Sequence, residues 1–134
     1  MTATTISLDT PRREGIVVDR GVSASSTVLK GTLIQLASGY AESMTKAASL
    51  VFAGVAYEQI QNSTATDGAV KVKVYREGIF EFVLASAAVT DIGTVVYALD
   101  NQTVTKTSTD ATAVGKIVAV ENTNKAFIDI RGYC

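Results

Sequence analysis

Residues Ser23–Ile34 (SASSTVLKGTLI) return in altered form at Ala85–Val96 (ASAAVTDIGTVV), 62 positions further along the chain. The echo continues in order. Thr45-Lys46 lies against Thr105-Lys106, and Ala53-Gly54-Val55-Ala56 against Val114-Gly115-Lys116-Ile117. The alternating run Val70–Arg76 lies against Ala126–Arg131. Each half then reads as a small-residue turn, Gly-Thr, a strand, a polar turn, a Gly-centred strand and an alternating strand. A duplication of this kind constrains the fold more than composition does, because both copies must close the same small unit. The pseudo-repeats span about 22–78 and 84–132, within a single β domain over 16–134 that follows a distinct stretch over 1–15.

The local patterns are those of strands. In Ala69–Arg76, Val70, Val72 and Val74 point to one face, while Lys71, Lys73 and Tyr75 point to the other. Strands are also expected at Thr32–Leu36, Val51–Tyr57, Gly78–Leu84, Thr94–Leu99, Gly115–Val120 and Ala126–Arg131, with Ile16-Val17-Val18 as a further short one. Turn residues separate them at Ser38-Gly39, Asp67-Gly68, Asp100-Asn101 and Asn122-Thr123-Asn124. The fold class is therefore all-β, a small barrel or sandwich. Alternation assigns the core to Val70, Val72, Val74, Ile79 or Phe80, Phe82, Leu33, Val95, Ile117, Ile128 and Ile130. Two segments carry other signals. Ala41, Met44, Ala48, Val51 or Phe52, and Val55 have helical spacing, but the duplication sets 41–53 against the non-helical Thr103–Thr112 and argues for extended chain or loop. Ala85–Ile92 has room for one helical turn before Gly93.

Chemistry is constrained by what is missing. The 134 residues include no His and no Trp, and the one Cys is Cys134. Ser–His and Cys–His pairs, imidazole metal sites, internal disulfides and Cys-cluster zinc sites are excluded on that ground. The carboxylates are scattered singly and no phosphate-cradling glycine loop is present, so the reading is a non-enzyme without cofactor or metal. A net charge of −1 gives no footprint for nucleic acid or an anionic membrane. No unbroken apolar run is long enough to span a bilayer, and the first 15 residues lack the apolar stretch of a secretory signal. A cytoplasmic site of synthesis is the expectation.

What remains is surface. Residues 1–15 hold the single Pro, Pro11, then the basic pair Arg12-Arg13. They read as a frayed end or as an arm that orders on a neighbouring subunit. In the second reading Ile6 and Leu8, spaced by two, share one face of the extended arm, and Arg12 and Arg13 meet acidic groups. Lys71 and Lys73 form a polar strand face, either solvated or a contact surface. Arg76 ends the strand, and Arg76-Glu77-Gly78 and Arg131-Gly132-Tyr133 fall at corresponding repeat ends, each as an exposed Arg with a Gly that lets the chain turn away. The candidate contact residues are thus Ile6, Leu8, Arg12, Arg13, Lys71, Lys73 and Arg76.

Leu29–Leu36 with Phe52–Tyr57, and Val89–Tyr97 with Val114–Val118, carry a further signal. Over roughly 22–131 they give twice the pattern of turn, Gly, x, hydrophobic strand, polar turn and Gly-Val-Ala-like strand. In this the chain resembles the capsid cement, or head decoration, proteins of tailed bacteriophages. It departs at Lys116, where an apolar residue usually follows the Gly. The resemblance implies a small β fold without enzymatic activity, on the exterior of a virion capsid. There it would act as a trimer, or as a dimer, clamping adjacent subunits of the major capsid protein. No binding residue of that family has a motif sharp enough to transfer. The alternative is a non-catalytic β module that binds a ligand or carbohydrate, or serves in a fibre. Such a module gathers aromatics on one exposed face, whereas the nine Phe and Tyr here are dispersed along the chain.

Overall fold

The computed structural model describes Ser7 and residues 15–134, and it is all-β. The first half runs through β1 (Val17–Gly21), β2 (Ser26–Val28), β3 (Leu33–Ala37), β4 (Tyr40–Ser43), β5 (Val51–Ala56), β6 (Ile60–Asn62) and β7 (Lys71–Tyr75). The second runs through β8 (Ile79–Leu84), a 3-10 turn at Val89–Asp91, β9 (Val95–Ala98), β10 (Thr103–Thr105), β11 (Ala113–Asn122) and β12 (Lys125–Asp129).

The two halves have one strand order. The first is β1-β7-β5-β3-β4, and the second is β8-β12-β11-β9-β10, closed into a barrel where β10 pairs in parallel with β8. At the corresponding place in the first half stands a single parallel bridge, Val22 to Ala41. Details repeat as well. The Gly31 N–H donates to Ala56 O and the Ala56 N–H to Thr32 O, as the Gly93 N–H does to Ile117 O and the Ile117 N–H to Thr94 O. Both Gly-centred strands slip register at the same point, beside Gly54 in β5 and beside Gly115 in β11. Both glycines are there because their neighbours leave no space for a side chain. A Cβ on Gly115 would lie 2.5 Å from Asp129 O, and one on Gly54 would strike the carbonyl oxygen of Tyr75. Gly54 also has φ +129°, which L side chains avoid.

Alternation builds the interiors. Val72 and Val74 of β7 are fully buried with Val22, Val28, Ile34 and Ala41 inside the first unit. Phe82, Leu84, Val96, Val114, Ile117, Ile128 and Ile130 fill the second. The second cluster continues onto Leu33, Met44, Phe52 and Val55, from the outward faces of β3 and β5 and the segment after β4. The first unit thus lays one flank of its sheet against the second. The Leu33 N–H donates to Asn101 O and the Leu50 N–H to Thr112 Oγ1 across this seam.

Each sheet takes in one strand ahead of the repeats at 22 and 84, since β1 pairs with β7 and β8 with β12. Several expectations are corrected. In β9 the inward residue is Val96, and Val95 is only half-buried. Ile79 is 58% exposed, and the inward phase of β8 runs Phe80, Phe82, Leu84. Val70, placed just before β7, is half-buried. No helix forms over 41–53, which supplies β4, a loop and the start of β5; a 3-10 turn does form at Val89–Asp91.

Candidate interaction surfaces

Lys71 and Lys73 stand exposed on the outer face of β7, beside Tyr75. Lys73 Nζ pairs with Asp19 Oδ1 of β1 at 3.3 Å, with both groups more than half exposed. In that setting the pair contributes at most a few tenths of a kcal/mol to about 1 kcal/mol. Arg76 does not share this face. It follows Val72 and Val74 on the inward side, is half-buried, and donates from Nη2 to Cys134 O at 3.2 Å. The expectation of an exposed Arg76 is therefore corrected: position 76 continues the core phase. Arg131 is exposed, as expected. Ile6, Leu8, Arg12 and Arg13 lie outside the described residues.

At the end of the first unit, a cleft of about 360 Å³ is lined by Ile16, Glu77, Gly78, Ile79, Asp129 and Arg131. Beside it Cys134 packs its Sγ 3.2 Å from Arg76 O. Burial pushes this thiol's pKa up, and the Arg76 and Arg20 charges only partly offset that push. At neutral pH it is a protonated, weakly nucleophilic group. Among the described residues no three carboxylate or cysteine groups come together closely enough to hold a metal ion.

A second place joins the two units. Tyr57, Tyr75 and Phe80 form a chain of tilted rings, with centroids 5.2 Å and 5.5 Å apart. They line a cleft of about 320 Å³ with Lys30, Gly31, Val55 and Ala56. Lys30 and Gly31 also border a polar cleft of about 270 Å³, which holds the Glu81–Lys125 ion pair and Gln102. The expected dispersal of aromatics is therefore corrected in part, since three of them converge.

No family model, curated protein or solved structure matches this chain. Its surfaces must be interpreted from their own chemistry.

The aromatic seam was hidden from sequence reading by topology. Tyr57 follows β5, Tyr75 ends β7 and Phe80 begins the second unit, and nothing in their spacing says that these places meet. The available signal was the alternation of Tyr75 with Lys71 and Lys73, combined with the inward phase of Phe80. The Asp91–Lys106 pair, at 3.0 Å, was equally invisible. The Lys106 hydrogen bond, then the Ala88 N–H, holds the Asp91 carboxyl below the usual range.

Proposed function

We propose that the protein is a structural component of a virion, binding the exterior of a phage capsid and cementing adjacent major capsid subunits. The observation that carries this reading is the spread of exposed apolar side chains over both units. Val89 is 72% exposed, Ile79 58%, Val51 57%, Ile92 49% and Ile16 45%. A protein that clamps a shell works through many modest contacts over a wide area, and exposed apolar groups on both units can supply such contacts. The duplicated unit sets two copies of one backbone side by side on one chain, which suits a lattice of repeated subunits. The self-association that goes with this role is a trimer or a dimer.

The test is co-sedimentation of the purified protein with undecorated heads of the phage that encodes it. Saturable, stoichiometric binding that protects the heads against heat or low salt is the expected result. Absence of binding at micromolar protein overturns the reading.

One observation favours a second reading, a ligand-binding β module: the Tyr57–Tyr75–Phe80 seam beside a polar cleft. An exposed ring can stack on the apolar face of a sugar, and amide, ammonium and carboxylate groups nearby can meet its hydroxyls. Saturation transfer from the protein to cellotetraose or maltotetraose, lost in Tyr57→Ala, would select this reading.

A further inference from the structure

The second unit serves as a control for the first. Its inward positions Phe82 and Ile130 are 4% and 0% exposed. Strand register makes Arg20 the counterpart of Phe82, since Arg20 pairs with Val72 as Phe82 pairs with Ala126. Arg76 is the counterpart of Ile130, since the Arg76 N–H donates to Ile16 O as the Ile130 N–H does to Gly78 O. The first unit thus carries two guanidinium groups where its sibling carries Phe and Ile.

Both arginines are half-buried, and the Nε of each is buried with no hydrogen-bond partner among the described residues. The three ion pairs among these residues all use lysine. Arg76 commits Nη2 to a backbone oxygen. A guanidinium has five donors, and a buried N–H left without a partner is unfavourable. A cleft of about 270 Å³ opens at this end, lined by Gly15, Arg76, Glu77, Arg131, Gly132 and Cys134. Glu77 is exposed there and pairs with neither buried Nε. Arg20 stands on the same inward face, since it pairs with Val72 and Arg76 continues the Val72–Val74 phase. Its charge acts with those of Arg76 and Glu77 on the Cys134 thiol.

We propose that this end of the first unit binds an oxyanion, a carboxylate or a phosphate, through the guanidinium groups of Arg20 and Arg76, with Arg131 at the rim. The planar fork of arginine matches the paired oxygens of either group. The inference stands on the comparison of the two units and does not require the capsid reading. A carboxylate would come from an acidic side chain of a partner surface, and a phosphate from solution.

The test follows the arginine Nε–H resonances of the full chain at constant ionic strength. One arm adds inorganic phosphate and the other N-acetyl-glutamate amide. Saturable shifts of the Arg20 and Arg76 signals are expected in at least one arm; the responding probe assigns the source. Arg76→Ile, which installs the sibling residue, should abolish the shift at Arg20. Arg76→Lys, which keeps the charge without the fork, should weaken binding at least about tenfold. No saturable shift, or an unchanged Arg20 shift in Arg76→Ile, overturns the proposal. So does a shift that appears only in Glu14→Gln, because the chain's own carboxylate would then be the occupant.

Discussion

Val55 and Lys116 occupy one position in two copies of the same unit, each following the Gly that kinks its strand. Val55 is 1% exposed, because the outward face of β5 is covered by the second unit. Lys116 is exposed, because nothing among the described residues covers the outward face of β11. Leu33 and Val95 differ in the same direction, the first fully buried and the second half-buried. The contrast teaches that backbone and interior repeat, while outward residues record where each unit sits. A unit that docks through one flank onto its neighbour makes a head-to-tail contact, and repetition of that contact would continue without end. The polar flank at Lys116 does not offer the surface that Leu33, Phe52 and Val55 provide.

The comparison can be broken most severely at Val55. Val55→Lys forces a cation into the covered seam and should cost about 4 kcal/mol or more in urea unfolding. A cost under about 1 kcal/mol would mean that the two units are not packed as described. Next is Gly54→Ala, which combines a carbonyl collision with a positive φ and should cost about 3 kcal/mol. Gly115→Ala, without the φ penalty, should cost less, and the reverse ranking would contradict the geometry. Arg76→Ile removes a half-buried cation that has no ion-pair partner among the described residues and should raise stability by about 1–2 kcal/mol in phosphate-free buffer. Lys116→Val should change unfolding by less than about 0.5 kcal/mol while promoting self-association, read by sedimentation velocity.

The smallest effect is electrostatic. The folded-state pKa of Asp91 lies below its unfolded value because Lys106 and the Ala88 N–H favour the charged form. The stability it contributes is present above the unfolded value and is lost as pH falls through the folded one. Carboxyl titration by NMR should place Asp91 below ordinary aspartates, and Lys106→Met should move it upward.

The fold class was legible because Val70–Val74 alternates cleanly and the Gly-Thr turns recur at a constant offset. Phase was less legible. Val95 and Val96 are both valines, so only the pairing of Gly115 with Val96 decides which faces in. The helical spacing of 41–53 arises by coincidence. Met44 inserts into the core from a loop, while Ala48 and Val51 are exposed, so the apolar residues serve no common face. β2, β6 and β10 have three residues each and consist largely of Ser, Thr, Gln and Asn beside one apolar residue. Such strands exist because a neighbour holds them, and a chain read locally does not name that neighbour. Arg76 was misjudged for a related reason: a charged residue at a strand end is usually solvated, although the phase of Val72 and Val74, like the sibling Ile130, sets the position inward.

The pairing of β1 with β7, and of β8 with β12, has a consequence in time. Val17 faces Tyr75, and Ile79 faces Asp129. The opening strand β1 of the first unit therefore waits for the last one to be made, whereas β8 of the second also meets β10 on its other edge. At about 5–20 residues per second, a gap of roughly 50–60 residues leaves β1 without its partner for some 3–12 s on the ribosome. Neither unit can be assembled strand by strand from its beginning. Because β1 pairs only with β7, far along the chain, refolding should be slow for a chain of this size. The charged pair Asp19-Arg20 in β1 gives that waiting strand an edge that other nascent chains do not readily join.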